Sequence, residues 1–234
     1  MSSQPDLQIF ASAKTMAAQL AEQLQGRISA SIDANGKSNI ALSGGRTPLD
    51  LYRNLASASL DWRGINLHLV DERWVPRSHP RSNEAFVRSA FEQARDVNLW
   101  PIFNSESEFQ DVSKHLNSTY ATKTDTLDVV VLGMGGDGHT ASWFPHAGNL
   151  DTALTTADAY CPIIATKSDV TGDEVQRITL SLNEVRKADL IVLMLTGSQK
   201  RAVFEQAMMD GPIEDMPVRA ILRARPDTLV CWAP

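Results

Sequence analysis

This chain of 234 residues has only two cysteines, Cys161 and Cys231. They are far apart and show no CxxC or Cys/His spacing, so a disulfide framework or structural zinc is not expected and a reducing cytoplasm is the natural setting. Long apolar runs are missing too. The longest, "LIVLML" at 190–195, falls far short of the roughly 20 residues that span a bilayer. The opening "MSSQPDLQIF" has no basic segment followed by an apolar one, so it does not read as a secretory signal. Basic excess is absent, and a formal net charge of −6 argues against general nucleic-acid affinity. It leaves room for an anionic small molecule, since a site needs only a few local cations. No repeat, low-complexity tract or linker divides the chain, so residues 1–234 are expected to form a single domain.

The chain alternates short apolar runs with amphipathic segments, the pattern of βαβ construction. The expected fold is α/β, with a mostly parallel central sheet flanked by helices. Residues 12–25 place Met16, Leu20 and Leu24 at helical spacing, and Gly26 follows as a stop. Another helix is expected from Thr47, with Thr47 as N-cap and Pro48 in the first turn. Helices are also expected at 82–94, 106–123, 198–209 and 217–223, and strands at 39–42, 65–70, 127–132, 160–166, 177–182, 188–195 and 228–233.

Open α/β sheets bind ligands beyond the carboxyl ends of their strands. Here those ends read "SGGRTP" (43–48), "DERWVP" (71–76), "GMGGDGHTASWFP" (133–145) and "TGSQK" (196–200). "SGGRTP" has the parts of an anion cradle: Gly44 and Gly45 free the backbone N–H groups, Ser43 and Thr47 add hydroxyls, and a helix begins just after. "TGSQK" repeats the arrangement with Lys200 in the first helical turn. A lysine there opposes the helix dipole, which makes sense with an anion between them. Arg177, opening "RITLSL", is a candidate third cation. In the charged cluster Asp71, Glu72 and Arg73, Asp71 is best placed to point into the cleft.

Gly133, Gly135 and Gly138 spell G-x-G-x-x-G, the pattern of a dinucleotide-binding turn. Asp158 even supplies an acid at the right distance. The intervening sequence does not fit, because Pro145 interrupts the helix and 145–158 contains no strand-like run, so no nucleotide cofactor is expected. Ser43, Asp137 and His139 follow the order of a nucleophilic triad, but two facts count against it. Too few strands precede the serine, and Asp137 lies two residues from His139 in one turn, a poor position for an acid orienting the far imidazole nitrogen. What remains is a glycine turn presenting Asp137 and His139 for acid–base work. His68 reads as strand packing, His79 and His115 as surface residues, and His139 with His146 lacks the third ligand of a metal site.

Together, "LSGGRTP" (42–48), "VDERWVP" (70–76), "SN" (82–83), "LGMGGDGHTASWFP" (132–145), "RITLSL" (177–182) and "TGSQK" (196–200) resemble the 6-phosphogluconolactonase family, related to the glucosamine-6-phosphate isomerase/deaminases. The resemblance covers most of the chain and implies a Rossmann-like layered α/β architecture with no nucleotide cofactor, and hydrolysis of a phosphorylated sugar lactone in the cytoplasm. It implies His139 as general base for water, Asp137 positioning the turn, and Arg73 orienting substrate or stabilising the oxyanion. Ser43, Gly44, Gly45, Thr47, Arg177 and Lys200 would hold the phosphate, and Asp71 the sugar hydroxyls. No metal, nucleic acid or membrane is implied, and the expected state is a monomer or weak homo-oligomer. The deaminases carry an acid just before the proline of the glycine turn, where this chain has Phe144, which favours the lactonase. Family members often read D-x-x-S-N where this chain reads "HPRSN". A deaminase-like enzyme and a non-catalytic sugar-phosphate sensor are the alternatives; the sensor would need a DNA-binding segment, and no basic helix-turn-helix stretch is visible.

Overall fold

The computed structural model describes residues 5–168 and 171–234, and the elements named here are those of the described residues. In order they are β1 (Asp6–Ile9), α1 (Ala13–Asn35), β2 (Ser38–Leu42), α2 (Leu49–Ala56), β3 (Ile65–Leu69), β4 (Asp71–Arg73), α3 (Asn83–Ala90) and β5 (Asn98–Leu99). Then follow α4 (Val112–Lys123), β6 (Val129–Leu132), α5 (Leu150–Thr155), β7 (Tyr160–Ile164), β8 (Gln176–Leu180) and α6 (Leu182–Val185). β9 (Leu190–Thr196), α7 (Ser198–Ala207), α8 (Val218–Ala224) and β10 (Leu229–Ala233) complete the chain.

The larger sheet has the order β1-β10-β9-β6-β2-β3-β5, with every neighbouring pair parallel. All four residues of β6 are buried, so both faces of this central strand are covered, as a continuous β-branched run demands. From β2 the chain builds outward through β3 and β5, then returns to the other side of β2 with β6. Loops leaving β2 and β6 therefore diverge, and the crevice between their carboxyl ends is the switch point where such sheets bind ligands. No helix among the described residues is long and apolar enough to cross a membrane.

Four expectations change. Helix α1 runs through Gly26 and stops at Gly36, whose φ of 71° suits a glycine cap. Ile28 extends the buried stripe of Met16, Leu20 and Leu24, and that burial outweighs the roughly 1 kcal/mol cost of a helical glycine. Thr47 does not cap α2: Pro48 holds the N-cap position without a side-chain bond, and Thr47 Oγ1 instead faces Thr196 Oγ1 at 3.4 Å. The charged cluster 71–73 is itself strand β4 rather than a loop. With β7 and β8 it forms a second, antiparallel sheet in the order β4-β8-β7. Val70 links the sheets through its backbone: its N–H donates to Leu42 O at 2.9 Å, and its carbonyl accepts from Leu180 N at 2.8 Å. Tyr160 on β7 adds a side-chain link, its hydroxyl donating to Leu69 O on β3 at 2.9 Å.

His68 on β3 packs in the interior as expected, 2% exposed, with Nε2 3.3 Å from Thr124 Oγ1 and its ring edge-on to Tyr120. Burial pulls its imidazolium down to about 4. An unfolded histidine takes up a proton below about 6.5, so between these values the unfolded chain binds the extra proton and stability falls as pH falls. His68 should thus account for a loss on the order of 3 kcal/mol between pH 7 and pH 4. Urea unfolding at both pH values checks this, and His68→Gln should shrink the difference.

Candidate active site

At the switch point lies a cavity of about 280 Å³ lined by Ser43, Gly44, Gly45, Thr47, Asp71, Arg73, His139, Arg177 and Lys200, among others. Nine of the ten residues anticipated from sequence are thus brought together. The tenth, Asp137, lies outside the lining and touches it through His139. Arg46, Asn83, Met134 and Ala141 also line the cavity but were not singled out. Arg46 was open to discovery as the one charge within a predicted anion cradle. Asn83 belongs to the "SN" pair of the family resemblance, but its place in the cavity depends on contacts across the fold. A larger hollow of about 430 Å³ lies near residues 56–63 and 93–96, but none of the strand-end loops reaches it and its Arg63 is already paired with Asp61.

The glycine turn is built around His139. Gly135 N–H donates to His139 O at 2.8 Å, closing the turn. A Cβ on Gly135 would lie 2.0 Å from His139 Nδ1 and 2.3 Å from Asp137 Oδ1, so any side chain there would expel the pair. Gly138, at φ 78°, takes the left-handed conformation glycine tolerates. His139 Nδ1 and Asp137 Oδ1 are 2.5 Å apart, and Asp137 Oδ1 also accepts from His139 N–H at 3.2 Å. The two-residue spacing therefore does allow the acid to orient the imidazole, contrary to the sequence expectation: the turn folds the carboxylate back under the ring. Burial acts to raise the Asp137 carboxyl, but the hydrogen bond and charge of His139 outweigh it and hold it below its usual value. With Asp137 accepting from Nδ1–H, Nε2 carries the lone pair. The turn is fastened to the small sheet, where fully buried Trp143 donates from Nε1 to Leu180 O at 2.9 Å and Ser142 N–H donates to Thr179 Oγ1 at 3.3 Å.

Phe144 lies between two functional groups. Its ring centroid is 4.4 Å from that of His139 and 5.2 Å from the Arg177 guanidinium carbon. Arg177 is 2% exposed and pairs directly across the antiparallel ladder with Arg73. Residues opposite one another point to the same face, so two guanidiniums stand side by side, an arrangement that repels. Burial pushes Arg177 down to about 10, with Asp71 opposing the shift and Arg73 and Arg81 adding to it. Arg73 Nε and Ser43 Oγ are buried without a hydrogen-bond partner among the described residues. Both atoms belong to residues that line the cavity.

Asp71 accepts from Ser142 Oγ at 2.5 Å and from Asn83 Nδ2 at 3.2 Å, which fixes its carboxylate at the cavity wall. Glu72 serves the fold: it accepts from Arg73 N, Ser82 Oγ, Asn83 N and Glu84 N at 2.7–3.0 Å, tying the start of α3 to β4. Burial raises its carboxyl, and those hydrogen bonds oppose the shift. This connection gives the Ser-Asn pair its role. Asn83 lies against Gly44, where a Cβ would meet Asn83 Oδ1 at 2.0 Å. Gly45, at φ 99°, makes the turn into α2. Lys200 is in the first turn of α7; burial lowers its ammonium, opposed by Asp137.

A cation-walled cleft with one oriented histidine at the switch point of a parallel sheet is the kind of site an α/β enzyme offers to an anionic small molecule. Comparison with known proteins agrees. The family model for glucosamine-6-phosphate isomerases/6-phosphogluconolactonase matches residues 11–231, and the chain belongs to this family. A 6-phosphogluconolactonase of Rhizobium meliloti is 34% identical over 98% of this chain and 99% of its own. One from Mesorhizobium japonicum is 36% identical over 94% of this chain and 91% of its own. The crystal structure of a 6-phosphogluconolactonase from Shewanella baltica matches with a TM-score of 0.93 at 33% identity, covering all of both chains.

The seating of His139 can be tested without any substrate. Gly135→Ala should expel the imidazole from Asp137, and the strongly downfield Nδ1 proton resonance of a short His–carboxylate bond should vanish in the folded variant.

Proposed function

We propose that this chain hydrolyses 6-phosphogluconolactone to 6-phosphogluconate by direct, histidine-assisted attack of water. The observation that carries this reading is the 2.5 Å contact of His139 Nδ1 with Asp137, which leaves Nε2 as the base in a cavity walled by Arg73, Arg177 and Lys200. In the proposed step Nε2 takes a proton from water as its oxygen bonds to the lactone carbonyl carbon. The carbonyl oxygen gains the charge, which Arg73, with its spare Nε donor, stabilises. The bond from carbon to ring oxygen then breaks, and the imidazolium returns its proton to that oxygen, giving a hydroxyl and a carboxylic acid. Asp137 stabilises the imidazolium without taking its proton.

Ser43, Gly44, Gly45, Thr47, Arg177 and Lys200 would hold the phosphate and Asp71 the sugar hydroxyls. The Phe144 ring against His139 supports hydrolysis over deamination, because a phenyl ring relays no proton. The reaction as written uses only water and a proton shuttle, and no cofactor or metal enters it. We also read the protein as one domain working in the cytoplasm, as a monomer or weak homo-oligomer; both cysteines are buried, which suits a reducing compartment.

The direct assay is acid release from freshly generated 6-phosphogluconolactone above the spontaneous rate. His139→Ala should cut kcat by about 10²–10⁴-fold with folding intact; near wild-type turnover would sink the mechanism. Should Ser43→Ala abolish turnover while a wild-type acyl-enzyme is trapped by mass spectrometry, serine is the nucleophile instead. Because burial lowers the Lys200 ammonium, it loses its charge at a lower pH than an ordinary lysine, near 10.4. KM should therefore rise on the alkaline side before that value, and Lys200→Arg, which keeps its charge, should flatten the rise.

A further inference from the structure

Two loops meet behind the cationic wall, one carrying Arg81 between β4 and α3 and the other carrying Thr171 to Glu174 ahead of β8. Both cavity arginines are aimed by carbonyls of these loops. Arg73 donates from Nη1 to Arg81 O. Arg177 donates from Nε to Glu174 O at 2.7 Å and from Nη2 to Thr171 O at 3.0 Å. The same two loops are clasped by their own side chains. Arg81 Nη1 lies 2.7 Å from Glu174 Oε2, and Arg81 Nη2 donates to Thr171 O at 3.0 Å. Thr171 O therefore accepts from both guanidiniums at once, so a shift of Arg81 is felt at Arg177 through one shared atom.

The loop is shaped around this clasp. Gly172 takes φ 66°, and a Cβ there would lie 1.9 Å from Arg81 Nη1. Glu174 sets a carboxylate beside Arg81, while His79 Nε2 stands 3.8 Å from its Oε1. Neither Arg81 nor Glu174 lines the cavity.

We infer that Arg81 and Glu174 are positioning residues that set the geometry of Arg177, and with it the grip on the phosphate. The inference rests on the function proposed above. Loss of the clasp frees Thr171 O and Glu174 O to move, and Arg177 loses its aim toward the phosphate. A lactone without a phosphate never uses that grip, so it should suffer less.

The test compares wild type, Arg81→Ala, Glu174→Gln and the double variant on 6-phosphogluconolactone and on unphosphorylated gluconolactone, with folding followed by circular dichroism. Each single variant should lower kcat/KM for the phosphorylated lactone by about 30-fold or more, chiefly through KM, and for the unphosphorylated one by about threefold or less. The double variant should be no worse than either single one, the mark of one shared device. Equal losses on both lactones, additive losses, or wild-type kinetics would overturn the inference. If Arg81→Ala does not fold, Glu174→Gln decides. If the wild type hydrolyses neither lactone, the proposed function fails on its own. Calorimetric binding of inorganic phosphate then still judges the clasp, since weaker binding by Glu174→Gln is expected and equal binding refutes it.

Discussion

The structure keeps a buried guanidinium, Arg177 on β8, opposite a half-buried one, Arg73 on β4. Like charges at facing ladder positions repel, and burial removes the water that would screen them. Much of the surrounding architecture answers that demand. Asp71 supplies a nearby negative charge, the Phe144 ring presents a π face to Arg177, and the carbonyls of Arg81, Thr171 and Glu174 take up guanidinium protons. An anion in the cavity would complete the compensation.

The histidine is held on a different principle. His139 is fixed by space as much as by hydrogen bonding: a glycine at 135 leaves room for the imidazole, and the short bond to Asp137 selects its tautomer. Phe144 closes one side of the ring with apolar surface. The result is an imidazole presented by a turn that is itself pinned to β8 through Ser142–Thr179 and Trp143–Leu180, so His139 and the cationic wall share one foundation.

Most of the fold was legible because buried parallel strands write themselves as apolar runs and their ends as glycine or charge. β6, "VVVL", is the plainest case. β4 was not legible: its three residues are Asp, Glu and Arg, chosen for the cavity and for α3, and no alternation survives in them. β1 and β5 are short edge strands whose pairing depends on neighbours distant in sequence. At the site, residue types and strand-end positions were enough to gather nine lining residues. The Asp137–His139 contact was misjudged because two-residue spacing looks too short until the turn's backbone is known. Asn83 and Arg81 stood out only within the "HPRSN" stretch, with no role attached, since each meets a glycine or carbonyl that sequence order does not mark.

The single-residue joint at Val70 has a mechanical meaning. Its two backbone hydrogen bonds, to Leu42 and from Leu180, stitch the parallel sheet to the antiparallel one with no slack between them. A domain-closing enzyme needs a hinge, a few residues free to change φ and ψ. Here β3, which lies beside the strand leading into the Ser43–Thr47 turn, and β4, which bears Arg73, are separated by one residue already bonded on both sides. A change of φ or ψ at Val70 would have to break a backbone hydrogen bond to one sheet or the other, so the join between the two walls offers no free hinge at that residue.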